Sequence, residues 1–181
     1  MQRTALIGAN GRRVAVSTMS DRVFKAVVND SKTKMERENA KGDKRTYSPS
    51  YQTEVSGNNY NALLGKKIGD DVSGVNIHED MNGYTLRITG GSDKTGTPMR
   101  PDLHGAGVNA VLVGPGTGYK GKRYVRKNGK VYRYKYDGIR RRRNLRGNTI
   151  SVDTRQINLT VVEKGARSLG DIFGAGESSD E

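Results

Sequence analysis

One stretch, Gly116 to Arg146, decides how much of this chain is free to build a core. GTGYKGKRYVRKNGKVYRYKYDGIRRRRNLR holds 13 of the 32 Lys and Arg residues and a single carboxylate, Asp137. It therefore carries +12 of a formal net charge of +13. At its centre, Asn128-Gly129 is a strong signal for a two-residue type I′ turn between YVRK and KVYRYKY. That turn sets Lys127 opposite Lys130 and Val125 opposite Tyr132. Cations then fall on both faces, and an unpaired charge is expensive to bury, so the hairpin has to project. The core must come from the other segments of a chain with 33% hydrophobic residues, 24 Gly, no Trp and 2 Phe. These resources fit one small domain with basic excursions that a partner orders.

A pI near 10.0 points to nucleic acid or an anionic membrane surface as that partner. Apolar runs such as Ala110–Val113 are far too short to span a bilayer. With no cysteine there is neither a disulfide nor a thiolate zinc site, which fits a reducing compartment.

The division read from the sequence is an N-terminal extension at 1–21, a β-rich unit at 22–164 and a tail at 165–181. MQRTALIGANGRRVAVST is basic with no acid, its apolar ALIGA is too short for a signal-peptide core, and Met19 opens a natural start. Residues 1–18 are expected to be a disordered arm or not part of the native protein. Arg22–Asn29 reads as a strand, Lys32–Thr46 as a loop, and Tyr47–Val55 as a strand that Pro49 confines to an edge or bulge. Tyr60–Leu64 makes about one helical turn, stopped by Gly65 and Gly69. GYTLRIT at 83–89 alternates cleanly, whereas the Gly and Pro residues of 90–105 exclude regular structure. Val108–Val113 and Arg155–Glu163 are further strands, followed by a short amphipathic turn, ARSLGDIF, and an acidic end, ESSDE. The predicted fold is mainly β: a small antiparallel barrel-like domain with a projecting basic hairpin and short helical turns.

Catalytic chemistry finds no support in the residues. Gly116-Thr117-Gly118-Tyr119-Lys120-Gly121 matches G-x-G-x-x-G, but a hairpin pattern comes next where a dinucleotide site needs a helix. Gly91 to Gly96 has P-loop spacing, yet Thr97-Pro98 stands where Lys and Ser/Thr are required. His78 and His104 have no nucleophile or ligand set at a useful spacing, and Asp70-Asp71 reads as a polar turn. No cofactor, metal or small-molecule substrate is expected.

Binding chemistry is concentrated in the arm. Lys120, Lys122, Arg123, Arg126, Lys127, Lys130, Arg133 and Lys135 alternate with Tyr119, Tyr124, Tyr132, Tyr134 and Tyr136. Cations meet phosphates, and flat rings either stack on unpaired bases or cover the small core. Arg140, Arg141, Arg142, Arg143 and Arg146 would repel one another unless anions compensate, and guanidinium forks match phosphate, which favours RNA or DNA contact over a solvated charge run; a nuclear-localisation or heparin-binding reading uses the same residues.

The block RRRRNLRGNTISVDTRQINL at 140–159, with TGGSDKTGTPMRPDLHG at 89–105 and LLGKKIGDD at 63–71, closely resembles protein six of the archaeal and eukaryotic small ribosomal subunit (the S-six-e family). The resemblance runs from about Val23 to Lys164, with the blocks in family order. It implies a mainly β structural constituent of the ribosome that binds ribosomal RNA and supports subunit assembly and translation. Its surroundings would be cytoplasmic, among rRNA and neighbouring ribosomal proteins, with no membrane and no homo-oligomer. By position, Gly90, Gly91, Ser92, Asp93, Lys94, Met99, Arg100, Pro101 and Asp102 match the family's glycine-rich, RNA-facing turn. Arg140–Arg143, Arg146, Gly147, Asn148 and Thr149 match its basic signature, which implies RNA contact for the arginines and Asn148. Lys122–Tyr136 is longer and richer in Tyr than the family pattern, and Thr97 replaces a more usual aromatic residue. Ser168, Ser178 and Ser179 do not reproduce the eukaryotic phosphoserine tail, so the ending looks archaeal. A free-standing RNA- or DNA-binding regulator is the alternative reading, and a nucleotide-using enzyme is a second rival.

Overall fold

The computed structural model describes residues 22–38 and 42–174, so the N-terminal extension at 1–21 and the acidic end lie outside the described residues. In chain order the strands are β1 (Phe24–Asn29), β2 (Met35–Glu38), β3 (Lys44–Tyr47), β4 (Ser50–Val55), β5 (Asp71–Ser73) and β6 (Thr85–Asp93). They continue with β7 (Val108–Val113), β8 (Arg123–Lys127), β9 (Lys130–Tyr134), β10 (Arg141–Arg146) and β11 (Thr154–Glu163). Two short helices, α1 (Gly57–Leu63) and α2 (Leu169–Gly174), complete the set. The mainly β expectation holds: among the described residues 47% are strand and 11% helix, organised around a sheet curled into a half-barrel.

That sheet has the order β4-β1-β11-β6-β5, and three two-stranded ribbons, β2–β3, β7–β10 and β8–β9, stand apart from it. Its pairs are antiparallel except β1–β11, which run parallel from Lys25↔Gln156 to Asn29↔Thr160. Period-two patterning sets its buried face. β1 turns Phe24, Ala26 and Val28 inward, β6 contributes Leu86 and Ile88, and β11 contributes Ile157, Leu159 and Val161. Helix α1 closes one side with Tyr60 and Leu63, and the Tyr60 ring stacks on Phe24 at 4.1 Å between centroids. Beyond Lys164, α2 adds Leu169 to the same core. Each such side chain stabilises the fold by roughly 1.5–3 kcal/mol through removal from water.

A bulge in β6 changes which residues of the strand face the core. Leu159 pairs with Ile88 but Asn158 pairs with Gly90, leaving Thr89 as the extra residue. An extra residue flips the parity of the strand. Inward positions pass from Leu86 and Ile88 to Gly91 and Asp93, so a carboxylate enters the buried layer.

Several expectations are corrected. Lys32–Thr46 is not loop throughout, because Met35–Glu38 and Lys44–Tyr47 pair as an antiparallel ribbon. Every residue of that ribbon is exposed, so no apolar period marked it. Tyr47–Val55 is two strands, not one. Pro49 lies between them and its carbonyl accepts the Asp30 N–H at 3.0 Å, while β4, which starts just after it, is an edge strand of the sheet. The 90–105 segment is partly regular, since β6 runs through Gly90 and Gly91 to Asp93. A Cβ on Gly91 would lie 2.4 Å from the Gln156 carbonyl, so here glycine permits close strand approach rather than a turn. The apolar run of β7 is mainly solvent-facing, with Val108 and Leu112 exposed.

Candidate nucleic-acid interface

The basic stretch is built as two ribbons over a small cluster of its own. β10 pairs with β7 from Arg141↔Val113 to Arg146↔Val108. Its alternation sends Leu145 into a cluster with Val113, Tyr119 and Ile139, flanked by Leu103 and Val111. Arg140, Arg141, Arg142 and Arg143 remain exposed. The Arg143 guanidinium stands 5.7 Å from the Tyr119 ring centroid, a cation–π contact that orients it over the cluster.

The projecting hairpin takes the register read from its turn. Lys127 faces Lys130 and Val125 faces Tyr132, while Asn128 and Gly129 adopt φ of 48° and 74°. Positive φ at both central residues is the type I′ requirement that Asn-Gly meets at least strain. The two faces differ. One groups Tyr132 and Tyr134 with Val125, Arg123, Lys127 and Lys130; the other sets Arg133 against Tyr124 at 6.0 Å. Tyr124, Tyr132, Tyr134 and Tyr136 are exposed, so they do not cover the core.

Two sequence-derived assignments change here. Tyr119 is 5% exposed and belongs to the small cluster, so it is a packing residue rather than an open stacking platform. Arg146 is equally enclosed. Its side chain is 5% exposed and meets Asp93, itself 6% exposed, at 3.3 Å. It also donates to Asp153 at 3.1 Å and to the Ala106 carbonyl at 3.1 and 3.2 Å. Its role is to tie β10 to the end of β6. Asp93 in turn accepts the Thr95 and Thr97 amides and the Thr95 hydroxyl on Oδ1, closing the 93–97 turn at 2.6–3.0 Å. Burial alone would raise this carboxyl, but the Thr95 and Thr97 bonds and the Arg146 charge outweigh it, so its pKa lies below the ordinary value.

The remaining signature residues are also buried in backbone contacts. Asn148 donates to the Pro101 carbonyl from Nδ2 at 3.3 Å and to the Leu103 carbonyl from its amide at 2.7 Å. A Cβ on Gly147 would lie 1.9 Å from the Gly105 carbonyl oxygen. Gly147 and Asn148 thus dock the 98–107 segment instead of facing outward. Arg100 is half-buried and paired with Asp102 at 2.6 Å, while Lys94 is exposed, and Gly90, Gly91 and Ser92 are half-buried in β6. Lys120, Lys122, Arg123, Arg126, Lys127, Lys130, Arg133 and Lys135 are exposed along the arm.

Sequence reasoning missed one grouping. Thr95, Gly96, Thr97 and Pro98 face Gly118, Arg142, Arg143 and Asn144 across an open cleft of about 350 Å³. Thr95 and Thr97 come to face the arginines because the Asp93-capped turn holds them there, and Asn144 joins as the neighbour of Arg143 on β10. The glycine-rich match is turn chemistry, with Gly116 and Tyr119 exchanging backbone bonds of 2.8 and 3.1 Å before the hairpin begins. His78 lies 3.7 Å from Asp80, which also pairs with Arg167. Asp71 forms a bidentate bridge to Arg87. The described residues hold no His, Asp and Glu group suited to a metal, and no helix among them is long and apolar enough to cross a membrane.

Comparison with known proteins gives one consistent result. The family model described as Ribosomal protein S6e matches residues 43–174. The chain is 44% identical over 147 residues to Small ribosomal subunit protein eS6 of Methanococcus maripaludis strain S2, covering 81% of this chain and 93% of that protein. It is 38% identical over 152 residues to the protein of the same name in Archaeoglobus fulgidus, covering 83% and 95%. A Methanothermobacter thermautotrophicus relative, again of that name, is 44% identical over 128 residues, covering 71% and 90%.

Proposed function

We propose, from the premise that the chain belongs to the Ribosomal protein S6e family, that it grips small-subunit rRNA with the 116–146 arm while the half-barrel holds that arm in place. As a member of that family it is a structural constituent of the small ribosomal subunit and not an enzyme. The observation that carries the finer reading is that the exposed arginines share a strand with one buried arginine. Arg140–Arg143 face solvent on a strand whose other end is held by the enclosed Arg146–Asp93 pair. Successive strand residues point to opposite faces. Arg142 and Arg143 therefore leave opposite faces of the ribbon at the rim of one cleft, where they reach phosphates with Asn144 beside them and Thr95 and Thr97 across the cleft as neutral partners. Lysines and arginines of the hairpin track the RNA backbone, and Tyr132 and Tyr134 offer one open face to unpaired bases. Phosphate contacts position and release counterions; the tyrosines add stacking.

Binding of the full chain to a small-subunit rRNA transcript tests this through its salt dependence. About five to eight phosphate contacts predict a log K against log salt slope of roughly −4 to −7. Arg142→Gln with Arg143→Gln should make that slope shallower by about 2. A flat salt response, or a double variant with the original slope, would refute the electrostatic account. Co-sedimentation with small subunits through high-salt washes separates an integral component, which stays, from a free-standing regulator, which leaves.

A further inference from the structure

A second cationic cleft lies away from the arm, at the end of the sheet where β1 begins, β11 begins and β6 ends. Arg22, Val23, Tyr60, Lys94, Val152, Asp153, Thr154 and Arg155 line it, and its volume is about 280 Å³. Two features distinguish it from an ordinary surface crevice. First, Tyr60 is 4% exposed, and its phenol oxygen has no hydrogen-bond partner among the described residues. Stacking on Phe24 fixes the ring, so the hydroxyl cannot simply turn out to water. A buried hydroxyl left unpaired is costly, and such a group calls for an explanation. Second, the cations are not neutralised. Asp153 is engaged by Arg146, and among the described residues no carboxylate pairs with Arg22, Lys94 or Arg155. Arg155 is instead held at the cleft wall by donation from Nη1 to the Val23 carbonyl at 3.1 Å.

We propose that this cleft is a second RNA-binding site, which takes one phosphodiester of an rRNA strand distinct from the strand held by the arm. The chemistry selects an anion with acceptor oxygens. Burial raises the Tyr60 phenol above its usual value, so at neutral pH it remains a hydrogen-bond donor. Lysine and arginine supply the charge-assisted bonds that phosphate oxygens accept. The reading rests on rRNA being the partner, and it makes the protein a bridge between two RNA segments rather than a one-sided clamp.

The absence of cysteine permits a site-specific test on the full chain assembled into small subunits. A single Val152→Cys, at an exposed position on the cleft wall, carries an iron–EDTA cleavage probe, and Leu112→Cys carries one beside the arm, on β7 opposite Arg142. Cleavage from position 152 at an rRNA segment different from that cut from position 112 is the expected result. Tyr60→Phe and the Arg22→Gln, Lys94→Gln pair should each suppress the 152 pattern and leave the 112 pattern intact. The paired variant should also weaken transcript binding about tenfold and make the salt slope shallower by about 2. Tyr60→Phe should raise or preserve the melting temperature of the free protein, which excludes misfolding as the cause. In the chain with no substitution besides the probe cysteine, absence of RNA cleavage from 152 while 112 still cuts, or a 152 pattern that the cleft variants leave unchanged, overturns the cleft site alone; absence from both overturns the RNA reading itself. Protection of the cleft by inorganic phosphate without any cleavage from 152 identifies a free-anion site and equally overturns the proposal.

Discussion

Asp93→Asn isolates the charge at the centre of this architecture. The three bonds that close the 93–97 turn all end on Oδ1, whereas Arg146 is met by Oδ2. Asparagine keeps Oδ1 as an acceptor, so the turn survives, but its amide nitrogen then confronts the guanidinium donor. Removing one member of a buried pair costs about 3–5 kcal/mol. Here Arg146 retains Asp153 and the Ala106 carbonyl, which places the loss near the lower bound, at about 3 kcal/mol. For a domain of this size that corresponds to a melting temperature lowered by roughly 6–12 °C. The effect must also depend on pH. The folded pKa of Asp93 lies below its unfolded value, so the ionised group contributes stability above about pH 4. That contribution is lost as pH falls through the folded pKa. Thermal or urea melts of both proteins at pH 7 should show the full gap, which narrows on acidification below pH 4. Equal stability at pH 7, or a gap independent of pH, would refute the assignment of Arg146–Asp93 as the anchor of the arm.

Other consequences are simpler to read. Because Arg123 and Tyr134 are cross-strand partners, a Gly-Gly linker can replace residues 123–134 without spreading the ends. Stability should stay within about 0.5 kcal/mol, while the RNA salt slope becomes shallower by up to about 4; a cooperative loss of folding would show that the hairpin belongs to the core. Gly118 holds φ of 84°, and a Cβ there would lie 2.3 Å from the Leu145 methyl. Gly118→Ala should cost about 1–3 kcal/mol from the left-handed backbone alone, with more from the clash, and an unchanged melting temperature would count against the small cluster as described.

How far the sequence reached depends on whether a signal is local. The Asn-Gly turn specified the hairpin down to its register, because both φ values and the flanking pairing are decided within a few residues. Alternation at 83–89 and 155–163 located β6 and β11 for the same reason. The β2–β3 ribbon escaped notice because nothing on it is buried, so no hydrophobic period was selected. The basic signature was read as one RNA-facing unit, yet it divides at Leu145. Residues 140–143 are exposed, and Arg146 to Asn148 are spent on holding the 98–107 segment.

The class of partner was legible from composition, since +12 on one stretch calls for a polyanion whatever the fold. The sequence also determined the mainly β character, through strand periodicity and turn chemistry. Which of the cations are available depends instead on long-range packing. The bulge at Thr89 turns Asp93 inward, and that buried carboxylate captures Arg146 from a run of otherwise similar arginines. Charge is a property of composition, but whether a charge meets solvent or a carboxylate fifty-three positions away is settled by strand pairing.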